Sequence, residues 1–223
     1  MISSDGNRLI GLDMGTSSVK LVELTQSGNA FRLERLALVP LGQGESREAS
    51  NRALSMLLES ESVQNKRVAT SVSGSHVAVR VLRFPKLSKG EIKGAVWYEG
   101  SQVIAFDIDD AYVDYQVLSR EEAVESEEEE TAARTDVLFV AASKPEVDWR
   151  TSVIKECGLE PRFVGVDMLV LLDAALREPD APETVAVLHL GAASTGIGVT
   201  RGGTTPFVRD LDIGGNAFTN AIA

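Results

Sequence analysis

A stretch of apolar, small and hydroxylated residues near the start of the chain recurs far downstream, and this repeat constrains the fold more than any other feature. Residues 9–24 read LIGLDMGTSSVKLVEL, and residues 185–200 read VAVLHLGAASTGIGVT. The two align without a gap, which pairs Gly15 with Gly191. Each copy predicts an apolar strand, a tight turn of small residues and a second apolar strand. A repeat of this kind indicates a fold with two related lobes.

The turn of each copy has the composition of a phosphate-binding loop. Glycine lets a ligand approach the backbone, and small hydroxylated residues offer N–H and O–H donors. In the first copy, Asp13 ends a strand where its carboxylate can bind Mg²⁺ through water, and Lys20 supplies a positive charge. We therefore predict that the two loops face one phosphate chain; the alternative is a plain β-hairpin with a small turn. The candidate ligand-binding residues are Asp13, Gly15, Thr16, Ser17, Ser18 and Lys20 in the first copy and Gly191, Ala192, Ala193, Ser194 and Thr195 in the second.

Composition argues against several classes of function. The net charge of −11 argues against binding to nucleic acid or directly to anionic lipid, because both need clustered Lys and Arg. One cysteine and two histidines leave no zinc-type cluster. The polar N-terminal residues lack the apolar run of a signal peptide. The longest apolar stretch, residues 164–176, is shorter than the ~20 residues that span a bilayer. We expect a cytoplasmic protein.

The remaining elements follow from apolar spacing and from turn residues. Residues 31–39 predict a strand, residues 47–59 a helix with one buried stripe, and Gly74-Ser75 a turn between two further strands. Residues 85–161 read as a separate module that starts with a helix capped by Ser88 and Glu91. In that module we predict, in order, a helix to about residue 104, strands over 111–118 and 136–142, a helix over 145–157 and a strand over 160–166. Outside it we predict a helix over 165–177, and after the second copy a strand over 206–213 and a last helix that Gly214-Gly215 opens.

The pattern D-x-G-T-S-S-x-K resembles the first phosphate loop of the actin-like ATPases, and the second copy resembles their second phosphate loop, which duplicates the first. More narrowly, the chain resembles the PilM family of type IV pilus assembly proteins, which is close to FtsA. The similar blocks occur in order and cover nearly the whole chain. They are LIGLDMGTSSVKLVEL, VWYEGSQVIAFDIDDAYVDYQVL, DVLFVAASKPEV, CGLEPRFVGVD and RDLDIGGNAFTNAIA.

The resemblance implies an α/β, actin-like (ribonuclease H-like) fold with an inserted small α+β subdomain of the FtsA and PilM type. We expect residues 1–84 and 163–180 to form the first lobe, residues 85–162 the inserted subdomain and residues 184–223 the start of an incomplete second lobe. The second lobe is expected to be truncated because the family's adenosine-binding glycine motif lies beyond residue 223.

The resemblance also implies ATP and Mg²⁺ as cofactors and a scaffold function. The implied partner is the cytoplasmic N-terminal tail of the inner-membrane protein PilN, held in a groove between the first lobe and the inserted subdomain. Other pilus platform proteins are further partners, and contact with the inner membrane is then indirect. An FtsA-like division protein and a small-molecule kinase of the same superfamily are alternatives. The kinase needs a catalytic carboxylate set among Gly and Asn, and Asp107, Asp109, Asp110 and Asp114 lack that setting.

One departure from the family pattern bears on hydrolysis. PilM-like second loops usually read D-I-G, whereas this chain has His189 at the acidic position. A neutral imidazole is a weaker ligand than a carboxylate for a hard cation such as Mg²⁺. We therefore expect nucleotide binding by the full-length protein with weak or absent hydrolysis, and we assign no catalytic residue.

Overall fold

A computed structural model describes residues 8–28, 30–42, 46–121, 124–125, 130–131, 134–178, 180–202 and 204–222. The helices are α1 (Arg47–Ser60), α2 (Lys89–Val103), α3 (Lys144–Glu156), α4 (Asp167–Leu176) and α5 (Gly215–Ile222). The strands are β1 (Arg8–Met14), β2 (Ser18–Ser27), β3 (Ala30–Pro40), β4 (Arg67–Val72), β5 (Val77–Pro85), β6 (Ala111–Glu121), β7 (Val124–Glu125), β8 (Glu130–Thr131), β9 (Arg134–Ser143), β10 (Glu160–Val166), β11 (Thr184–Leu190), β12 (Thr195–Arg201) and β13 (Thr204–Leu211). Within the described residues, no helix is long and apolar enough to cross a membrane.

The first lobe is built on a five-stranded sheet of order β10-β4-β1-β2-β3. Strands β1, β4 and β10 run parallel, and β1, β2 and β3 pair antiparallel. Side chains alternate along β1, so that Ile10, Leu12 and Met14 are buried on one face. Helices α1 and α3 cover that face with Leu54, Leu57 and Ile154, among other side chains. The predicted stripe of α1 is therefore confirmed as a core contact.

The inserted subdomain is a three-stranded antiparallel sheet of order β5-β9-β6 that is covered by α2. Helix α2 begins as expected, since the N–H of Ser88 donates to Glu91 Oε2 at 2.9 Å. Phe84, Ile92 and Phe139 lie in the core between the sheet and the helix. This subdomain therefore has an apolar core of its own.

The expected subdomain boundaries, at residues 85 and 162, do not coincide with these sheets. Strand β5 ends at residue 85, where the subdomain was expected to begin, yet it pairs along its whole length with β9. Helix α3 lies before residue 162 yet packs against α1 in the core of the first lobe. The turn at Gly74-Ser75 thus joins two different sheets. We propose that the inserted subdomain comprises residues 77–143.

The third sheet has the order β11-β12-β13 and is packed against α4. Met168 and Leu172 of α4 form a small core with Val79, Val166 and Val208. These five residues come from the inserted subdomain, from the first lobe and from the third sheet. Helix α4, expected within the first lobe, therefore also joins that lobe to the third sheet.

Candidate functional site

The two copies of the sequence repeat form two hairpins with the same register. In the first hairpin, Asp13 lies opposite Lys20 on the neighbouring strand. In the second, His189 lies opposite Gly196, which are the residues that the sequence alignment pairs with Asp13 and Lys20. All seven pairs of the first ladder match the seven pairs of the second, without a shift in either ladder. The predicted duplication is confirmed at the level of individual strand pairs.

The turns of the two hairpins are closed by the same hydrogen bond. The N–H of Gly15 donates to the Ser18 carbonyl at 3.0 Å, and the N–H of Gly191 donates to the Ser194 carbonyl at 2.9 Å. A Cβ atom on Gly15 would lie 3.3 Å from that carbonyl oxygen, and one on Gly191 would lie only 2.8 Å from its counterpart. Both glycines are thus required by the close approach of a backbone carbonyl, more strictly in the second turn.

The tips of the two turns open into one cavity of about 780 Å³. Thr16 of the first turn and Ser194 of the second turn both line it. The lining also includes Gly74, Trp149 and Arg150. The structure therefore brings one residue of each turn, Thr16 and Ser194, to the same cavity.

Asp13 and Lys20 form an ion pair beside the first turn. Lys20 Nζ lies 2.7 Å from Asp13 Oδ2, and the two side chains are 46% and 48% exposed, respectively. The pair does not belong to the lining of the cavity. Among the described residues, no group of three or more His, Cys, Asp or Glu side chains could hold a metal ion. A single half-exposed carboxylate fits Mg²⁺ that arrives with a phosphate ligand and is bound through water, rather than a resident metal ion.

The second turn is fastened to the N-terminus of α5. The N–H of Gly215 donates to the Gly191 carbonyl at 2.8 Å, and the N–H of Asn216 donates to the Ala192 carbonyl at 2.9 Å. The buried Thr195 hydroxyl donates to the Ile213 carbonyl at 2.6 Å. Thr195 therefore uses its hydroxyl within the protein, whereas Ser194 lines the cavity.

Close packing between the second turn and α5 depends on Gly214. A Cβ atom at this position would lie 2.5 Å from the Ala192 oxygen and 2.6 Å from the Ala193 carbonyl carbon. In the first turn the matching support comes from the end of β3, where the N–H of Leu41 donates to the Ser17 carbonyl at 2.9 Å. Ser18 is buried at the base of the turn. Both turns are thus held by contacts from outside their own hairpin.

Two functional candidates are missing from the sequence prediction, and the first is Arg150. This residue of α3 is only 8% exposed, lines the cavity, and donates from Nη1 to the Met14 carbonyl at the end of β1. An arginine in an amphipathic helix gives no sign of burial in the sequence, because most such side chains lie at the surface. Its place beside the first turn follows from tertiary packing alone.

The second missing candidate is Asp210 on β13. Its Oδ2 accepts a hydrogen bond from the N–H of Gly74 at 3.1 Å, which links the third sheet to the turn between the other two sheets. Burial raises the pKa of this carboxyl above the ordinary value, and Asp167 and Asp212 act in the same direction. The Gly74 N–H and His189 oppose the rise. The ionised form of Asp210 is therefore disfavoured where the third sheet meets the Gly74 turn.

A second, more apolar cavity of about 670 Å³ lies between the inserted subdomain and the first lobe. Tyr115 and Leu138 line it from the sheet of the inserted subdomain, and Phe163 and Val170 line it from β10 and α4. Phe163 is 59% exposed. Strands β6 and β10 are both edge strands of their sheets. We call this cavity the inter-subdomain groove.

Comparison with known proteins supports the fold. The family model described as type IV pilus assembly protein PilM matches residues 11–223. A solved PilM-PilN type IV pilus biogenesis complex is 28% identical with a TM-score of 0.77, over 96% of this chain and 64% of the matched chain. The chain therefore spans less than two thirds of that protein.

Two further solved structures share the fold at lower identity. The cytoplasmic domain of EpsL, an inner-membrane component of the type II secretion system of Vibrio cholerae, is 18% identical with a TM-score of 0.56, over 91% of this chain and 71% of that one. A protein with an actin-like ATPase fold from Bacteroides thetaiotaomicron is 9% identical with a TM-score of 0.51, over 100% and 77%. The predicted actin-like α/β fold is thereby confirmed.

Proposed function

The chain belongs to the PilM family of type IV pilus assembly proteins, and from this premise we propose that it is a cytoplasmic actin-like scaffold that binds a nucleotide and the cytoplasmic N-terminal tail of a PilN-like inner-membrane protein. The observation that carries nucleotide binding is the cavity that Thr16 and Ser194 line together. Small hydroxylated turns with inward backbone N–H groups suit the oxygens of a polyphosphate. Family membership favours this scaffold over the FtsA-like and kinase alternatives.

Lys20 is the proposed counter-charge for the phosphates. Its ammonium group is half exposed and is paired with one carboxylate, so it can exchange that partner for a phosphate oxygen. Asp13 then becomes available to water molecules around the Mg²⁺ ion that ATP carries. In this proposal a bound phosphate breaks the ion pair between Lys20 and Asp13.

We propose that hydrolysis is weak or absent. His189 is exposed at the end of β11, where the matching residue of the first hairpin is Asp13. An imidazole there does not supply the hard oxygen ligand that a metal-assisted attack by water uses. Release of inorganic phosphate from Mg-ATP should stay near the rate without protein.

The inter-subdomain groove is the proposed site for the PilN-like tail. Phe163 and Val170 offer exposed apolar surface, and β6 and β10 are edge strands, so that in the described sheets each has one side without a neighbouring strand. An extended peptide can use both features, with main-chain hydrogen bonds for affinity and side-chain pockets for specificity. The carboxylate of Asp114 also lines the groove and favours a basic tail, whereas that of Asp173 is already paired with Arg177.

This arrangement gives the protein a peripheral location at the inner membrane. The net charge of −11 makes direct binding to anionic lipid unfavourable, so the membrane contact is made through the partner. Other platform proteins of the pilus machinery would bind surfaces outside the groove.

The proposed function is tested by calorimetric titration of Mg-ATP and, separately, of a synthetic PilN tail peptide into the purified full-length protein. We expect saturable binding of both ligands. Lys20→Ala should weaken Mg-ATP binding by about tenfold, in line with the loss of one charge-assisted hydrogen bond, and leave peptide binding unchanged. The absence of heat with Mg-ATP, or equal binding by Lys20→Ala, contradicts the nucleotide assignment.

A further inference from the structure

Arg150 presents a buried positive charge to the cavity that the two turns share. It lies on α3, its side chain is 10% exposed, and it lines the cavity together with Thr16 and Ser194. Burial of a guanidinium is costly unless its N–H groups find partners. The partners of Arg150 therefore indicate what the side chain is positioned to do.

Three contacts fix the orientation of this guanidinium. Nε donates to Glu146 Oε1 at 2.7 Å, one helical turn earlier, and Nη1 donates to the Met14 carbonyl. The guanidinium carbon also lies 5.3 Å from the centre of the Trp149 ring. A guanidinium has five N–H donors, and in the described part of the structure Nη2 has no acceptor. Three donors thus remain, two of them on Nη2, on a side chain that is already held in place.

The position of Arg150 complements that of Lys20. Lys20 lies beside the first turn outside the cavity, whereas Arg150 lies inside it, next to the carbonyl that precedes Gly15. A phosphate chain that contacts Lys20 and then the tips of both turns would extend into the cavity. Its last phosphate would then face the free side of Arg150.

Of the carboxylates that line the cavity, Glu146 is paired with Arg150 through Nε and offsets part of its charge. Asp107, Asp110 and Asp212 also line the cavity, but all three are exposed to solvent. Exposed charges are screened by water and salt, and buried charges are screened much less. The exposed carboxylates therefore disfavour free phosphate and tolerate a phosphate whose charge Mg²⁺ already reduces.

We propose that Arg150 is a phosphate-binding residue that contacts the terminal phosphate of the nucleotide through Nη2, and so makes the site select a triphosphate over a diphosphate. This inference rests on the proposed nucleotide binding. It adds a discriminating role that Thr16, Ser194 and Lys20 do not have, because Thr16 and Ser194 carry no charge and Lys20 does not line the cavity. The planar fork of arginine suits such a role better than a lysine.

The test compares Mg-ATP with Mg-ADP by calorimetry in the wild type and in Arg150→Lys. We expect Arg150→Lys to weaken Mg-ATP binding by about tenfold or more and Mg-ADP binding by no more than about threefold. The ratio of the two affinities cancels any general loosening of the first turn. Arg177→Lys is the matched control, since Arg177 also pairs with an acid four residues earlier but lies on the exposed side of α4.

Each result of this comparison supports or overturns the contact between Arg150 and the terminal phosphate. An equal loss for both nucleotides means that Arg150 only positions the first turn through Met14, and it overturns the phosphate contact. Unchanged binding of both overturns it as well. Failure of the wild type to bind either nucleotide contradicts the proposed nucleotide binding itself. If Arg150→Lys does not fold, as judged by circular dichroism, Arg150→Gln is compared in the same way.

Discussion

Lys20 Nζ lies 2.7 Å from Asp13 Oδ2, and the matching pair in the second hairpin is Gly196 with His189. The absence of a lysine in the second hairpin has a steric cause. A Cβ atom on Gly196 would lie 2.9 Å from the sulfur of Met168, because α4 packs directly on this strand. The asymmetry of the two loops is therefore a consequence of how α4 covers the third sheet.

Asp13→Asn should reduce the dependence of ATP affinity on Mg²⁺. In the wild type, Asp13 is the carboxylate that can hold the water shell of the metal, so we expect Mg-ATP to bind about tenfold more tightly than ATP in the presence of EDTA. An amide at this position leaves Lys20 unpaired and gives the metal a poorer partner. Titrations with and without Mg²⁺ measure the difference, and the same difference in both proteins would count against a role for Asp13.

Gly214→Ala should destabilise the protein by about 1–3 kcal/mol, the usual cost of overpacking. The new Cβ atom would lie 2.5–2.6 Å from backbone atoms of Ala192 and Ala193, so the second turn or α5 must move. Chemical denaturation measures the change. In the control Gly94→Ala on α2, the Cβ atom meets nothing within 4 Å. Alanine there should raise the free energy of unfolding by about 0.5–1 kcal/mol, because it is a better helix former than glycine. Equal effects of the two substitutions would refute the packing explanation.

Asp210→Asn should raise the melting temperature at pH 7. Burial raises the pKa of Asp210, so the folded state holds the proton more tightly than the unfolded state does, and ionisation opposes folding. The stabilisation by this proton is complete below the pKa of an unfolded aspartate and is lost as pH rises through the folded pKa. Asparagine keeps an acceptor for the Gly74 N–H without the charge.

Thermal melts of both proteins between pH 4 and pH 8 check this expectation. The advantage of Asp210→Asn should be greatest at neutral pH and should shrink as the pH falls through the raised pKa of Asp210. A melting temperature that is lower than that of the wild type at every pH would show that the negative charge supports the junction instead.

Phe163→Ala should weaken binding of a PilN tail peptide by about tenfold, because aromatic side chains in a groove carry much of the energy of peptide recognition. Folding should be little affected, since Phe163 is 59% exposed. Phe31→Ala is the control: Phe31 is 63% exposed on β3 and lies outside the groove. Fluorescence anisotropy of a labelled peptide measures both variants. Equal losses, or none, would remove the groove as the binding site.

Local sequence patterns were sufficient to predict most of the secondary structure. The two hairpins follow from apolar runs around a small turn, and α1 and α2 follow from capping residues and apolar spacing, all of which act over a few residues. The boundaries of the inserted subdomain depend instead on the pairing of β5 with β9, whose first paired residues, Val77 and Ala142, are far apart in the chain. No local pattern in β5 specifies that partner.

The residues of the candidate site also divide into those that a local sequence pattern marks and those that depend on the fold. Thr16 and Ser194 could be predicted because the repeat itself marks them. Arg150 and Asp210 could not, because each acts through a hydrogen bond to a residue 136 positions away. Gly214 lies between these cases: the glycine pair suggested a helix start, but the close contact with the second turn depends on the fold.

The most direct test of two loops acting on one phosphate chain is hydrogen exchange measured by mass spectrometry with and without saturating Mg-ATP. Bound phosphate should slow exchange of backbone N–H groups in both turns, residues 15–18 and 191–194, while the outer half of β3 exchanges as before. Protection of both turns at the same ATP concentration is the predicted result. Protection of one turn only, or of neither although ATP binds, would contradict a shared phosphate site.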